Sequence, residues 1–64
     1  MIYENIAKFC AAKEVTVASV EAKADLGRGT IGKWRTSNPT IDNLRKVASV
    51  LGVTIDELIK EEGA

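Results

Sequence analysis

Residues 16–35 read TVASVEAKADLGRGTIGKWR, and the way this stretch folds decides the rest of the chain. Thr16 carries a hydroxyl that can cap orphan backbone N–H groups, and Val20 and Ala24 follow it at helical spacing on one face. A helix is therefore predicted from Thr16 to about Ala24. Asp25-Leu26-Gly27 breaks it: Gly27 can take the cap geometry at little steric cost, and Leu26 is placed to plug the gap between two helices. A second helix is predicted from Arg28 to about Arg35, with Ile31 and Trp34 on its inner side. Two short helices across a tight turn make a helix-turn-helix.

At 3.6 residues per turn, Arg28, Gly29, Gly32 and Lys33 fall together on the outer face of that second helix. Two cations and two residues without side chains would let the backbone approach another surface while the basic arms reach around it. The major groove of DNA admits an α-helix in this way. Ordinary solvated charges on a poor helix give the same pattern, because each mid-helix Gly costs about 0.5 to 1 kcal/mol relative to Ala. These residues taken alone favour the plainer reading; the surrounding chain shifts the balance.

Sixty-four residues bound the answer to one small domain over residues 1–64, without room for a second lobe or a deep substrate cleft. Hydrophobic residues make up 45% of the chain, enough for a single core. Nine basic and nine acidic residues leave a formal charge of zero, so any affinity for a polyanion must come from local arrangement. No apolar run is long enough to span a bilayer, and no basic start leads into an apolar signal segment. A single Cys suits a reducing cytoplasm.

Ahead of the central stretch, Ile2, Ile6, Phe9 and Cys10 recur at helical spacing, which predicts a first helix over residues 1–13. Cys10 lies on the apolar stripe of a chain without His, so it reads as a small buried hydrophobe rather than a nucleophile. Behind the central stretch, Pro39 stops the polar run Thr36-Ser37-Asn38 from continuing as helix, and Thr40 is the next cap. Ile41, Leu44, Val47, Ala48 and Leu51 predict a helix over residues 41–51, ended by Gly52 in the left-handed region. Thr54 and Glu57 form a capping box, with Val53 placed to staple onto Leu58, and a fifth helix is predicted over about residues 55–61 before Gly63-Ala64 frays. The fold class is all-α: five short helices around one core of Ile6, Phe9, Cys10, Val20, Ala24, Leu26, Ile31, Trp34, Ile41, Leu44, Val47, Ala48, Leu51, Val53 and Leu58.

Five helices in this order, with the helix-turn-helix second and third, resemble the lambda-repressor-like DNA-binding domains of the Cro/CI or Xre type. The resemblance covers nearly the whole chain and rests on the complete spacing, from Ile6 and Phe9 through the Leu26 plug to Leu51-Gly52-Val53-Thr54-Ile55-Asp56-Glu57-Leu58. The run Leu26 to Trp34 looks most like regulators of phage or prophage type from Gram-positive bacteria. What the resemblance implies is a sequence-specific transcriptional regulator, a repressor of operator DNA, acting as a homodimer in the cytoplasm without a cofactor.

Four departures from the family pattern involve five residues. Val17 stands where many members use Gln on the DNA backbone, and Asp25 replaces the turn glycine. Glu21 occupies a position usually held by a small residue and must find a partner, Arg35 or Lys23, or sit solvated at the helix rim. Cys10 and Arg35 replace both halves of an Arg–Glu pair that many relatives place between their first and third helices.

Carried over residue by residue, the resemblance gives Gly27, Arg28, Gly29, Gly32 and Lys33 the surface facing the major groove, with Arg28 able to contact guanine O6 and N7. Thr16, Ser19, Thr30, Thr36, Ser37, Asn38 and Thr40 would hold phosphates, and Thr16 and Thr40 also serve as caps. Because Gly27 brings no capping side chain, the first N–H groups of the recognition helix could also face a phosphate. Ile55 and Ile59 suit a dimer surface. Catalysis has no support, with no His, no activated nucleophile and no metal-ligand spacing. The rival from another class is a small protein-interaction module or an antitoxin-type partner-binding domain, for which zero net charge and the same two isoleucines speak.

Overall fold

Each predicted threonine cap sits at the start of a helix. In the computed structural model, which describes residues 2–60, the chain forms α1 (Ile2–Ala12), α2 (Val17–Lys23), a 3-10 helix (Ile31–Arg35), α3 (Ile41–Leu51) and α4 (Ile55–Ile59). The hydroxyl oxygens of Thr16, Thr40 and Thr54 accept the backbone N–H groups of Ser19, Asn43 and Glu57 at 3.0, 3.1 and 3.1 Å. Each removes one of the donors that a helix start leaves without a partner. At Thr54 the box closes, because the Glu57 carboxylate accepts the Thr54 N–H at 3.0 Å.

The ends of α1, α2 and α3 share one device. Glu14, Asp25 and Gly52 take φ of 57°, 59° and 70°, and the next residue turns its N–H back into the helix: Val15 to the Cys10 carbonyl, Leu26 to Glu21, Val53 to Ala48. An L-residue pays about 1–2 kcal/mol for this backbone, so Gly52 is the relaxed member of the three. Asp tolerates it better than most residues. Glu14 carries no signal for it in the sequence.

The third helix differs from expectation. Among the described residues there are four α-helices and one 3-10 helix, not five α-helices. The third begins at Ile31 rather than Arg28: residues 28–30 form a turn, and the left-handed glycine there is Gly29, at φ 83°, not Gly27. Gly27, Gly29 and Gly32 lie too close together for so short a segment to nucleate a regular α-helix. The tighter winding sets residues i and i+3 one above the other, which puts Ile31 and Trp34 together in the core. The predicted start at Met1, the extension to Glu61 and the fraying of Gly63-Ala64 lie outside the described residues.

Eleven of the predicted core residues form one buried cluster: Ile6 and Cys10 from α1, Val20 and Ala24, Ile31 and Trp34, Leu44, Val47, Ala48 and Leu51 from α3, and Leu58 from α4. Phe9, Leu26 and Val53 are half-buried against it. Ile41 is a correction: the first residue of α3 stands at the rim and is 57% exposed. Burial pushes the Cys10 thiol up, which keeps it protonated and in keeping with a packing role. α1 lies against the 3-10 helix and α4, while α2 lies against α3. No helix among the described residues is long and apolar enough to cross a membrane.

One polar side chain inside this packing has no counterpart in the sequence reading. Asn5, buried on α1, donates through Nδ2 to the carbonyls of Leu58 at 2.8 Å and Lys60 at 2.6 Å, satisfying acceptors at the end of α4. Removing the donor takes this partner from one buried and one part-buried carbonyl. Asn5→Ala is therefore expected to lose about 1–3 kcal/mol, read as a lower urea midpoint with an unchanged slope. A parental midpoint would mean that water serves the two carbonyls equally well.

Candidate nucleic-acid interface

The turn between α2 and the 3-10 helix is organised by Glu21. Its side chain is 5% exposed, yet both carboxylate oxygens are used: Oε1 accepts the Gly29 N–H at 3.2 Å and Oε2 the Ile31 N–H at 2.8 Å. Its main-chain carbonyl takes the Leu26 N–H at 2.8 Å. A buried carboxylate is tolerated when its oxygens are hydrogen-bonded, and backbone N–H groups bind an anion strongly. The partner is thus neither Arg35 nor Lys23, and the position is not a solvated rim. The same geometry corrects a second expectation, because the Gly29 and Ile31 N–H groups turn inward to Glu21 rather than outward to a phosphate.

Arg35 is engaged elsewhere. Its guanidinium lies 4.4 Å from the Tyr3 ring centre and donates to the Tyr3 hydroxyl at 2.9 Å, which holds it further into its charged form. This contact ties the 3-10 helix to α1. Tyr3 was not singled out in the sequence; an aromatic on the first turn of α1 gives no hint of an Arg 32 residues away.

Arg28 and Lys33 are exposed, and neither side chain has a hydrogen bond or ion pair within the described structure. Gly29 is exposed and Gly32 half-buried, and a Cβ built on either would meet nothing within 4 Å. Gly27 is exposed too, with a Cβ there reaching Thr30 Oγ1 at 3.4 Å. Four of the five positions are exposed and Gly32 is half-buried, but they are split between the turn and the 3-10 helix and so do not make the single helical stripe expected at 3.6 residues per turn. Gly32 and Lys33 belong to the 3-10 helix, whereas Gly27 precedes the turn that carries Arg28 and Gly29, with Gly29 in the left-handed region.

The polar residues around this surface differ in what they have left to offer. Thr16 and Thr40, both exposed, accept hydrogen bonds as caps and keep their hydroxyl protons free to donate to a phosphate oxygen. Exposed Asn38 and half-buried Thr30 make no side-chain hydrogen bond among the described residues. Ser19 spends its proton on the Thr16 carbonyl at 2.7 Å, and Thr36 and Ser37 direct theirs to the Lys33 carbonyl at 3.4 and 3.0 Å. Away from this surface, Ile55 is half-buried against the core while Ile59 is 46% exposed. Ile59 borders a groove of about 290 Å³ with Ile2 and Trp34 on its apolar side and Ser37 and Asn38 on its polar side.

Two short helical segments across a fixed turn, the second presenting unpaired cations beside bare backbone, are the parts of a helix-turn-helix DNA-binding domain. Residues 5–62 match the Cro/C1-type HTH DNA-binding domain, and the chain belongs to that family. Its fold is similar to that of the N-terminal DNA-binding domain of SinR from Bacillus subtilis, with a TM-score of 0.87 and 25% identity over 100% of this chain and 97% of that one. No curated protein matches the chain.

Proposed function

We propose that this domain is a sequence-specific transcriptional regulator, a repressor of phage or prophage type from a Gram-positive bacterium, that reads operator DNA in the cytoplasm through the major groove. The observation that carries the reading is the pair of exposed, unpartnered cations, Arg28 and Lys33, set beside Gly29 and Gly32 where nothing stands between backbone and solvent. Family membership and the likeness to the DNA-binding domain of SinR support it. Arg28 reads a guanine, Lys33 reads a base or grips a phosphate, and Thr16, Thr40 and Asn38 are the best placed to hold the backbone. On DNA the domain works as a homodimer, with exposed Ile59 as its apolar contact. The exposed Ile41 and Ile59 also favour the rival reading, a protein-interaction module.

Selection from randomised duplexes, followed by affinity measurements across a salt series, separates these readings. A dimer should select an inverted repeat with half-sites about 10 bp apart. Arg28→Ala should lose about 1–3 kcal/mol on the selected site and relax one base pair, with mixed-sequence binding less affected. Lys33→Ala should lower the slope of log K against log salt by about 1 if it grips a phosphate, and alter the selected sequence as well if it reads a base. Both variants should melt within about 0.5 kcal/mol of the parent. Parental binding by both would move the protein-interaction reading to first place.

A further inference from the structure

The recognition segment cannot hold its own shape. It is a turn and a five-residue 3-10 helix containing Gly29 and Gly32, and its internal support is a few backbone bonds such as Thr30 N–H to Gly27 and Lys33 N–H to Gly29. Its hydrogen-bonded link back to α2 is Glu21. The two N–H groups that Glu21 holds are not arbitrary. The Gly29 N–H belongs to the peptide that follows Arg28, so fixing it fixes the backbone from which the Arg28 side chain departs. The Ile31 N–H opens the 3-10 helix that carries Lys33, whose own N–H closes on the Gly29 carbonyl at 3.2 Å.

We propose that Glu21 is a positioning residue for DNA reading: by holding the Gly29 and Ile31 N–H groups, its buried carboxylate sets the directions in which Arg28 and Lys33 leave the recognition segment, without touching DNA. The inference rests on the DNA-reading function proposed above. It separates two tasks. The carboxylate occupies the place that a phosphate would take at those N–H groups, so the backbone grip falls to Thr16, Thr40 and Asn38. Losing Glu21 then blurs discrimination between sequences while the phosphate contacts of Thr16, Thr40 and Asn38 stay the same.

The test compares the parent, Glu21→Gln and Glu21→Ala, each well below its own melting temperature. Glu21→Gln keeps the size and one acceptor oxygen but turns an N–H₂ group toward a backbone N–H. Four quantities are measured: affinity for the duplex selected by the parent, affinity for a mixed-sequence duplex, the salt slope, and hydrogen exchange at the Gly29 and Ile31 amides. The expected result for Glu21→Gln is a tenfold or greater loss on the selected duplex, less than twofold on the mixed one, a salt slope unchanged if Lys33 reads a base and lower by at most about 1 if it grips a phosphate, and at least tenfold faster exchange at the two amides. If Glu21→Ala does not fold, Glu21→Gln and the parent's amide exchange still decide. A folded Glu21→Gln that melts lower but keeps the parental ratio of selected to mixed binding overturns the proposal, leaving Glu21 as ordinary structural support. A parent that prefers no duplex removes the DNA-reading function instead, a result distinct from a preference that survives the loss of Glu21.

Discussion

Trp34→Ala is expected to be largely unfolded at room temperature. Truncating a buried Trp costs about 3–5 kcal/mol, and a core of this size supplies about the same amount in total. Trp34 is 8% exposed and sits where α1 meets the 3-10 helix, so its loss opens a cavity behind the recognition segment. Among the described residues no buried side-chain nitrogen or oxygen lacks a partner, so the indole N–H of Trp34 adds no buried polar cost. Far-UV circular dichroism against temperature reads the result. A cooperative melt close to the parent's would place the ring outside the core.

Leu58→Ala should be nearly as damaging, although it lies far from the proposed interface. Leu58 is fully buried, and burial is what holds α4 in place: a five-residue helix has no stability from propensity alone. A Leu→Ala change of this kind costs about 2–5 kcal/mol, which in a domain this small lowers the melting temperature by more than about 10 °C. Ile41→Ala is the control, since a side chain 57% exposed should change stability by no more than about 0.5 kcal/mol. Equal melts for the two variants would mean that α4 contributes nothing to the core.

The parts of this fold that can be read in the sequence are those set by neighbours along the chain. Thr16, Thr40 and Thr54 announce helix starts because the N–H groups they accept lie three residues away, and Gly52 announces an end because its backbone alone allows it. The core follows from periodicity, and its one clear error, Ile41, lies at a helix start where periodicity does not say which way the first side chain leaves. For the candidate surface, the exposure of Arg28 and Lys33 was legible from charge and position. The 3-10 winding beneath them was not, because a 3.6-residue pattern and a 3.0-residue pattern both bring Ile31 and Trp34 inward over so few residues. Glu21 was visible as an anomaly on a buried face. Its partners were not, since they are backbone groups 8 and 10 residues away, indistinguishable in sequence from every other N–H.

Asn5 and the end of α4 are separated by more than fifty residues, yet they meet in two hydrogen bonds. This closure has a consequence for the order of events during synthesis. Residues emerge from the ribosome at about 5–20 per second, so the segment that carries Arg28 and Lys33 appears seconds before residues 58–60. During that interval α1 has neither Leu58 to cover Ile6 nor carbonyls to occupy Asn5, and the 3-10 helix leans on a first helix that is itself unsupported. The nascent chain thus displays its basic arms before it can aim them, and competence arrives with the last turn of α4.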